Sequence, residues 1–275
     1  MLKIISTLVF VTTLPLAGYA QDGLPIFDGH IHYSQSVWRL ISPPQAIRLL
    51  QQAGIERCLV SSTPNEGSEK LYALSPERIV PFLRPYRTRK DMLSWFNDPA
   101  TLEYVKKQLD VIPYQGIGEF HLNGTDANTP VMGRIFRLAR DKGLALHAHT
   151  DEAGIRNILI RAPNQVVIWA HAGFDKVPIA TLQELLDDNS KLYLELSFRN
   201  DILIDSELNP HWRDLFLDHP YQFILGMDTY IPARWSLLPD YTDDARYWLN
   251  MLPEKIAKLI AHGNASRLFP VQANR

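Results

Sequence analysis

The sequence predicts an α/β fold, a single-domain (β/α)8 barrel of the TIM type, from three observations. Eight short apolar runs recur along the chain, helical patterns separate them, and the crossovers are long enough for neighbouring strands to lie parallel. Without its first twenty residues, the 275-residue chain still has the roughly 200 to 250 residues that one barrel needs. An open doubly wound sheet is the rival fold, but no predicted strand leads into a glycine-rich phosphate loop.

The predicted strands are apolar runs bounded by turn residues, and the predicted helices carry start and stop residues. A cap at Ser42 precedes Pro43, a cap at Thr129 precedes Pro130, and a third helix begins after Asp98. Two further helices are predicted over 177–188 and 253–262. The strands are predicted over 24–32, 56–62, 79–85, 116–122, 144–150, 166–171, 192–198 and 223–228.

Residues 1–20 predict a cleaved signal peptide, which leaves residues 21–275 as the barrel domain. A lysine precedes an apolar stretch over 4–16, and Ala20 provides the small residue that a signal peptidase reads. A membrane anchor is the alternative, but the stretch is shorter than the ~20 residues of a spanning helix, and Pro15 interrupts it. We therefore expect an exported protein, periplasmic or secreted, with no membrane span after cleavage.

Composition and charge favour a small-molecule partner. The formal net charge is -2 and no long block of Lys or Arg occurs, which argues against a nucleic-acid surface. The one cysteine, Cys58, lies in the apolar run RCLVSS, which predicts a buried core residue and no internal disulfide. The sequence does not fix the oligomeric state, and a homo-oligomer is compatible with it.

Histidines and carboxylates are concentrated at the ends of the predicted strands, where barrel enzymes carry their chemistry. Six of the nine histidines belong to this set. A single histidine of this kind is usually a core residue, whereas a cluster that includes carboxylates suits Zn²⁺, with Mn²⁺, Fe²⁺ or Co²⁺ as alternatives. The set consists of Asp28, His30, His32, Glu119, His121, His147, His149, His171 and Asp228.

The stretch FDGHIH predicts how the metal is held. Residues two apart on a strand project to the same face, so Asp28, His30 and His32 share one side and the two imidazoles reach one ion. Asp228, at the end of the last strand, can contact both the metal and a water molecule. It is therefore placed to accept a proton when that water attacks a substrate.

These residues resemble the metal-dependent amidohydrolase superfamily, whose members are barrels of this type. The resemblance covers the chain after residue 20 and rests on the histidines of DGHIH, the carboxylate of GIGEF, the histidines of GLALHAHTDE and VIWAHAGF, and the aspartate of ILGMDTY. The closing IAHGNASRLF looks like the last helix of the amidohydrolase-related branch, which includes decarboxylases and lactonases. The metal ligands that the resemblance implies are His30, His32, Glu119, His149, His171 and Asp228.

The resemblance leaves the number of ions open. It implies that Glu119 bridges two ions, one held by the strand-one histidines with Asp228 and the other by His149 and His171. In relatives with one metal, the residue at the position of His171 contacts the substrate or the catalytic water instead. His149 is preferred to His147 as a ligand because it stands at the end of its strand.

Substrate-binding residues are predicted at the same rim of the barrel. Arg84 and Arg87 follow the third strand and Arg199 follows the seventh, where a guanidinium can pair with a substrate carboxylate or phosphate. Arginines that follow a strand also commonly serve only to anchor a loop to the rest of the fold. The aromatic segment 229–248 forms either a lid or packing over the barrel mouth, and Tyr230 is its candidate substrate contact.

The predicted function is that of an exported metal-dependent hydrolase acting on a small molecule. Asp228 and His171 are the predicted catalytic residues, and the bond cleaved is an amide, lactone, ester or phosphoester. A metal-dependent decarboxylase on the same scaffold is the first alternative, and a non-catalytic metal-binding barrel is the second. A nuclease of the TatD type shares the ligand pattern, but the chain lacks the basic stripe that DNA binding requires.

Overall fold

A computed structural model describes residues 23–271 of the chain. The predicted signal peptide and the predicted start of the barrel domain at residue 21 lie outside the described residues. Within residues 23–271, no helix combines the length and the apolar character needed to cross a membrane.

Eight parallel strands form one sheet in sequence order, and this confirms the predicted (β/α)8 barrel. Each predicted strand is present, although most are shorter than the apolar runs that predicted them, and the sixth, seventh and eighth are the most shortened. The strands are β1 (Ile26–His32), β2 (Ile55–Ser61), β3 (Ile79–Leu83), β4 (Gly116–His121), β5 (Ala145–His149), β6 (Val167–Trp169), β7 (Leu192–Glu195) and β8 (Phe223–Ile224).

The segment after β8 closes the barrel against β1 without forming a regular ladder. The backbone N–H of Gly29 donates to the carbonyl of Leu225 at 2.7 Å, and the N–H of Asp228 donates to the carbonyl of His30 at 2.7 Å. The carboxyl group of Asp28 also joins the two edges, because its Oδ1 accepts from the N–H of Met227 and of His30. These bonds fix the end of the last strand beside the histidines of the first.

Helices connect the strands and cover the outside of the barrel. A small antiparallel hairpin, Leu203–Ile204 with Glu207–Leu208, follows β7, and a π-helical turn, Leu259–Gly263, extends α11. The helices are α1 (Gln35–Trp38), α2 (Pro43–Gln52), α3 (Glu66–Leu74), α4 (Ala100–Leu109), α5 (Pro130–Asp141), α6 (Glu152–Arg161), α7 (Ile179–Asp188), α8 (Pro210–Asp218), α9 (Pro232–Ser236), α10 (Leu238–Leu249), α11 (Glu254–Lys258) and α12 (Asn264–Leu268).

The residues that predicted helix starts make the expected capping bonds. Thr129 Oγ1 accepts from the N–H of Met132 at the start of α5, and Ser42 forms a capping box with Gln45 at the start of α2. The aromatic segment 229–248 forms α9 and most of α10, and Trp235 within it is completely buried. Most of this segment therefore packs on the barrel, and Tyr230 is its member on the cavity wall.

Two apolar layers position the strands. The larger layer lies between the strands and the helices, and the smaller cluster includes Phe27, Phe82 and Ile168 on inward positions of the barrel. Ala265 and Phe269 from the last helix and its end join this smaller cluster. The barrel interior is therefore filled with apolar side chains below the strand ends that carry the histidines, which holds those ends rigidly.

Candidate metal centre and active site

Four side chains from β1, β4 and the segment after β8 converge at the carboxyl end of the barrel, and all four are buried. The Nε2 atoms of His30 and His32 are 3.0 Å apart. Glu119 Oε2 lies 3.1 Å and Asp228 Oδ1 lies 3.3 Å from Nε2 of His32. Ligand atoms at about 2.1 Å from a tetrahedral ion lie about 3.4 Å from one another. The four groups therefore have the spacing of ligands to one metal ion.

The charge balance of this cluster fits a divalent cation. Oδ1 of Asp228 is buried and has no hydrogen-bond partner, which is a costly state for a carboxylate oxygen. Although burial opposes a charged His30 ring, Asp228, Glu195 and Glu119 hold the pKa of His30 well above its ordinary value. The positive charge that these carboxylates draw onto His30 is the charge that a metal would supply. Two imidazoles with two carboxylates also form a donor set suited to zinc and similar ions.

Hydrogen bonds to the Nδ1 atoms, which point away from the cluster, orient three of the histidine rings. Nδ1 of His30 lies 2.8 Å from Oε2 of Glu195, and because a carboxylate only accepts, this nitrogen donates. Nδ1 of His32 lies 2.9 Å from Oγ of Ser61. Nδ1 of His171 lies 2.8 Å from Oγ of Ser197. Each ring thereby turns its Nε2 atom toward the centre, as outer hydrogen bonds do for metal-binding histidines.

Glu195, on β7, ties several of these groups together from a completely buried position. Besides His30, its carboxylate accepts from the N–H of His171 at 3.0 Å and from the N–H of Ser197 at 2.6 Å. Burial opposes its ionisation, but His30 and the neighbouring histidines lower its pKa below the ordinary value. Glu195 is therefore a buried anion that orients the residues of the four-residue cluster. It is not among the residues predicted from the sequence, although it stands as a lone carboxylate in the apolar run LYLELSF.

The protonation states of His32, Asp228 and Glu119 suit metal binding at neutral pH, whereas His30 would release its proton when a cation binds. Burial, together with the nearby Arg84 guanidinium, lowers the pKa of His32 to about 3, so this ring is neutral. Burial raises the pKa of Asp228 to about 6, which still leaves it mostly ionised at neutral pH. Although burial acts in the opposite direction, His121 and His30 hold the pKa of Glu119 well below its ordinary value.

A second group of histidines lies on the cavity side of Glu119. Nδ1 of His149 is 2.8 Å from Oε1 of Glu119, and Nε2 of His171 is 3.8 Å from the same oxygen. The ring of His121 stacks on His149 with centroids 4.3 Å apart, and its Nδ1 lies 3.2 Å from the hydroxyl of Tyr86. All six metal ligands that the resemblance implies are thus brought together. His121 is the additional histidine here, on the same strand as Glu119.

Several residues at these strand ends have a left-handed backbone. The φ angles are 59° at His171, 62° at Phe174, 60° at Phe198 and 47° at Asp228. Residues with a Cβ atom rarely adopt this region, because the side chain crowds the backbone there. Such strained residues cluster at functional sites, where the surrounding structure holds them in place.

A cavity of about 810 Å³ opens above the cluster. Its floor includes His32, Glu119, His149, His171 and Asp228. Its walls combine arginines with aromatic rings, so they suit a small molecule that has both a flat apolar part and an anionic group. The arginines and aromatic residues in these walls are Arg84, Arg87, Arg89, Tyr86, Phe174, Phe198 and Tyr230.

The predicted substrate-binding residues have different positions. Arg84, Arg87 and Tyr230 line the cavity. Arg84 is nearly buried, and its Nη2 lies 2.5 Å from Oε2 of Glu119 and 3.3 Å from Nε2 of His32. Arg87 is exposed and pairs with Asp98 at 2.7 Å.

Arg199 does not line this cavity. Its guanidinium forms a bidentate pair with Asp201 and donates to the carbonyls of Ala172, Phe174 and Val177. It therefore anchors the loop after β6, which is the second role that the sequence left open for an arginine after a strand. A substrate contact by Arg199 has no support in this geometry.

Two residues of the predicted strand-end set belong neither to the four-residue cluster nor to the second group of histidines. The carboxyl group of Asp28 binds backbone N–H groups, because the register shifts between Asp28 and Ile31 and breaks the simple alternation along β1. Burial raises the pKa of Asp28 to about 8. His147 is completely buried, contacts the His30 ring edge-on at 4.7 Å, and is not part of the cavity wall.

Solved structures with a similar fold are known. No protein-family model matches the sequence, and no curated protein does. A probable 2-pyrone-4,6-dicarboxylic acid hydrolase from Acinetobacter baumannii, solved with citric acid bound, has a similar structure, with a TM-score of 0.62 and 15% identity over 89% of this chain and 98% of that one. An amidohydrolase from Burkholderia multivorans with bound zinc gives a TM-score of 0.55 and 14% identity over 90% of this chain and 100% of that one. This chain has the amidohydrolase fold.

Decarboxylases with the amidohydrolase fold match comparably well. A dihydroxybenzoic acid decarboxylase from a Polaromonas species, with bound manganese and the inhibitor 2-nitroresorcinol, has a TM-score of 0.58 and 12% identity over 91% of this chain and 98% of that one. The structural neighbours are thus hydrolases and decarboxylases of the amidohydrolase superfamily. At these identities the likeness concerns the fold, and it confirms the barrel architecture that the sequence resemblance implied.

Proposed function

We propose that this chain is an exported metal-dependent hydrolase that cleaves an amide, lactone, ester or phosphoester bond of a small molecule. The observation that carries the proposal is the buried cluster of His30, His32, Glu119 and Asp228 on the floor of an open cavity. Closed structural zinc sites have no adjoining cavity of this kind, whereas catalytic sites keep a position open to the substrate. Zn²⁺ is the metal that this donor set suits best, with Mn²⁺, Fe²⁺ and Co²⁺ as alternatives.

The residues of the cluster would bind the cation, and one of them, Asp228, would also accept a proton. The four side chains would hold a divalent cation, which would supply the Lewis acidity to acidify a water molecule and polarise a carbonyl or phosphoryl oxygen. Asp228, whose Oδ1 would bind the cation, accepts on its other oxygen, Oδ2, the proton that the attacking water loses, and returns that proton to the leaving group. His171, with Nδ1 held by Ser197, directs Nε2 toward the cavity, where it orients the substrate or the water.

The cavity walls support a small, anionic substrate. Arg84 and Arg87 provide guanidinium groups for a carboxylate or phosphate, and Tyr230 stands at the rim. His149 and His171, on the cavity side of Glu119, are the proposed ligands of a second ion if the site holds two. The number of ions is therefore one or two in this proposal.

A metal-dependent decarboxylase is the second candidate function. It is favoured by the similarity in fold to the dihydroxybenzoic acid decarboxylase with bound manganese. The aromatic cavity walls formed by Tyr86, Phe174 and Phe198 are also compatible with a flat aromatic acid. A panel of esters, lactones, amides, phosphoesters and aromatic acids separates the candidates.

The panel is run with the purified protein before and after chelation. Hydrolysis that disappears with the metal and returns on its restoration supports the first proposal, and metal-dependent release of carbon dioxide supports the second. A metal-loaded protein that turns over no member of the panel would favour the non-catalytic metal-binding barrel.

Export rests on residues 1–20 alone, and amino-terminal sequencing of the protein from a periplasmic fraction tests it.

A further inference from the structure

We propose that Arg234 is a positioning residue that holds Asp228 in the metal site, an inference that rests on the function proposed above. The Nε atom of Arg234 donates to the carbonyl of Asp228 at 2.7 Å, and its Nη2 donates to the carbonyl of Met227 at 2.6 Å. One guanidinium thus binds two consecutive carbonyls, and one of them belongs to the proposed ligand and base.

These bonds hold a stretch of backbone that has an unfavourable conformation at Asp228. Asp228 has a φ of 47°, a region in which residues with a Cβ atom are rare. Its N–H donates to the carbonyl of His30 at 2.7 Å. The peptide groups on either side of Asp228 are therefore held by β1 and by Arg234, and together they set the direction in which the carboxylate leaves the backbone.

The guanidinium of Arg234 is itself fixed by aromatic rings. It lies 4.4 Å from the ring centre of Phe198 and 4.3 Å from that of Tyr241, and its Nη1 donates to the Tyr241 hydroxyl at 3.2 Å. The next residue, Trp235, donates from Nε1 to the carbonyl of His32 at 3.0 Å. Helix α9 thus braces both the end of β1 and the segment after β8.

All three nitrogens of Arg234 have partners within the protein, and Arg234 is not among the residues that line the cavity. Its effect on the site passes through Asp228. Phe198 lines the cavity and also contacts the guanidinium. Arg234 therefore lies directly behind the wall that a substrate would touch.

Arg246 provides a matched control. It is half-buried like Arg234 and also donates to two backbone carbonyls, those of Leu24 and Ala53, at 3.2 and 3.1 Å. Leu24 and Ala53 precede β1 and β2, so these bonds lie at the opposite end of the barrel from the cavity. Loss of Arg246 removes the same kind of bond without touching a residue of the metal site.

The test measures Zn²⁺ affinity by competition with a fluorescent chelator, together with the melting temperature of each metal-free variant. Arg234→Met should weaken zinc binding by about 10- to 100-fold, the usual loss when an outer partner of a metal ligand is removed. Arg246→Met should lower the melting temperature and keep the wild-type affinity. Arg234→Lys should fall between, because an ammonium does not reproduce the planar fork on two carbonyls. If Arg234→Met does not fold, the pair Arg234→Lys and Arg246→Lys is compared, with the same order expected.

A double variant separates positioning from general destabilisation. If Arg234 acts through Asp228, then Arg234→Met should cause no further loss of zinc affinity in an Asp228→Ala background. Wild-type affinity in Arg234→Met, or an equal loss in both backgrounds, would overturn the role of Arg234 alone. A wild-type protein that binds no zinc and no other transition ion would instead contradict the proposed function and this role together.

Discussion

Nδ1 of His30 lies 2.8 Å from Oε2 of Glu195, and both side chains are completely buried. This contact turns Nε2 of His30 toward His32 and Asp228. It also places an ionised carboxylate one ring behind the proposed metal, where its charge strengthens the histidine as a ligand. The proposed metal site therefore has an inner layer of ligands and an outer layer of residues that orient them.

Replacing Glu195 by Gln should weaken Zn²⁺ binding by about 10- to 100-fold, because the amide keeps the shape of the side chain but not its charge. Affinity is measured by chelator competition, and Glu184→Gln, on the exposed face of α7, is the control. Unchanged zinc affinity in Glu195→Gln would show that the contact with His30 has no effect on the metal.

Replacing Asp228 by Asn should reduce kcat by about 100-fold or more on the substrate that the panel identifies, while most of the metal stays bound. Asn keeps a ligand oxygen and nearly the same shape, but it cannot accept the proton. Metal content and turnover are measured on the same sample, with Asp240→Asn on exposed α10 as the control. A variant that retains its metal and near wild-type turnover would remove Asp228 from the mechanism as a base.

Removing the metal should lower the melting temperature, because the ion would bind the folded chain only and the buried Oδ1 of Asp228 has no hydrogen-bond partner without it. A ligand at 100 times its Kd stabilises the folded state by about 2.7 kcal/mol. Zn²⁺ or Mn²⁺ should restore the melting temperature after dialysis against a chelator, whereas Ca²⁺ should not, because the histidines are poor ligands for it. Equal melting temperatures with and without a transition ion would contradict a buried metal site.

The thiol of Cys58 should be unreactive in the folded protein. Cys58 is completely buried on β2, and burial raises the pKa of its thiol, which disfavours the nucleophilic thiolate. A colorimetric thiol reagent should detect no thiol in the native chain and one thiol per chain after unfolding in guanidinium chloride. Rapid labelling of the native chain would place Cys58 at an accessible surface instead.

The barrel was predictable from the sequence because its strands are nearly continuous apolar runs. Strands such as β3 (Ile79–Leu83) are buried on both sides, and their apolar residues follow one another without interruption. The end of the last strand was less predictable. Beyond Ile224, the chain bonds to Gly29 and His30 through individual backbone contacts and a left-handed Asp228, and a hydrophobic pattern does not encode such contacts.

The proposed metal ligands were predictable because they recur at strand ends. The residues that form hydrogen bonds with these ligands were harder to predict. Glu195 was missed because one carboxylate in an apolar run resembles a chance substitution until its contacts with His30 and His171 are seen. The placement of Arg199 depends on carbonyls of a loop distant in sequence. Asp28 departs from the alternation rule because the strand register shifts beside it.

The central claim is that His30 and His32 hold a transition ion at the carboxyl end of the barrel. Elemental analysis of the purified wild-type protein and of a His30→Ala, His32→Ala variant tests it most directly. We expect at least one transition ion per wild-type chain and loss of that ion in a variant that remains folded. A metal-free wild-type protein that takes up no transition ion, or a double variant with the wild-type metal content, would contradict it.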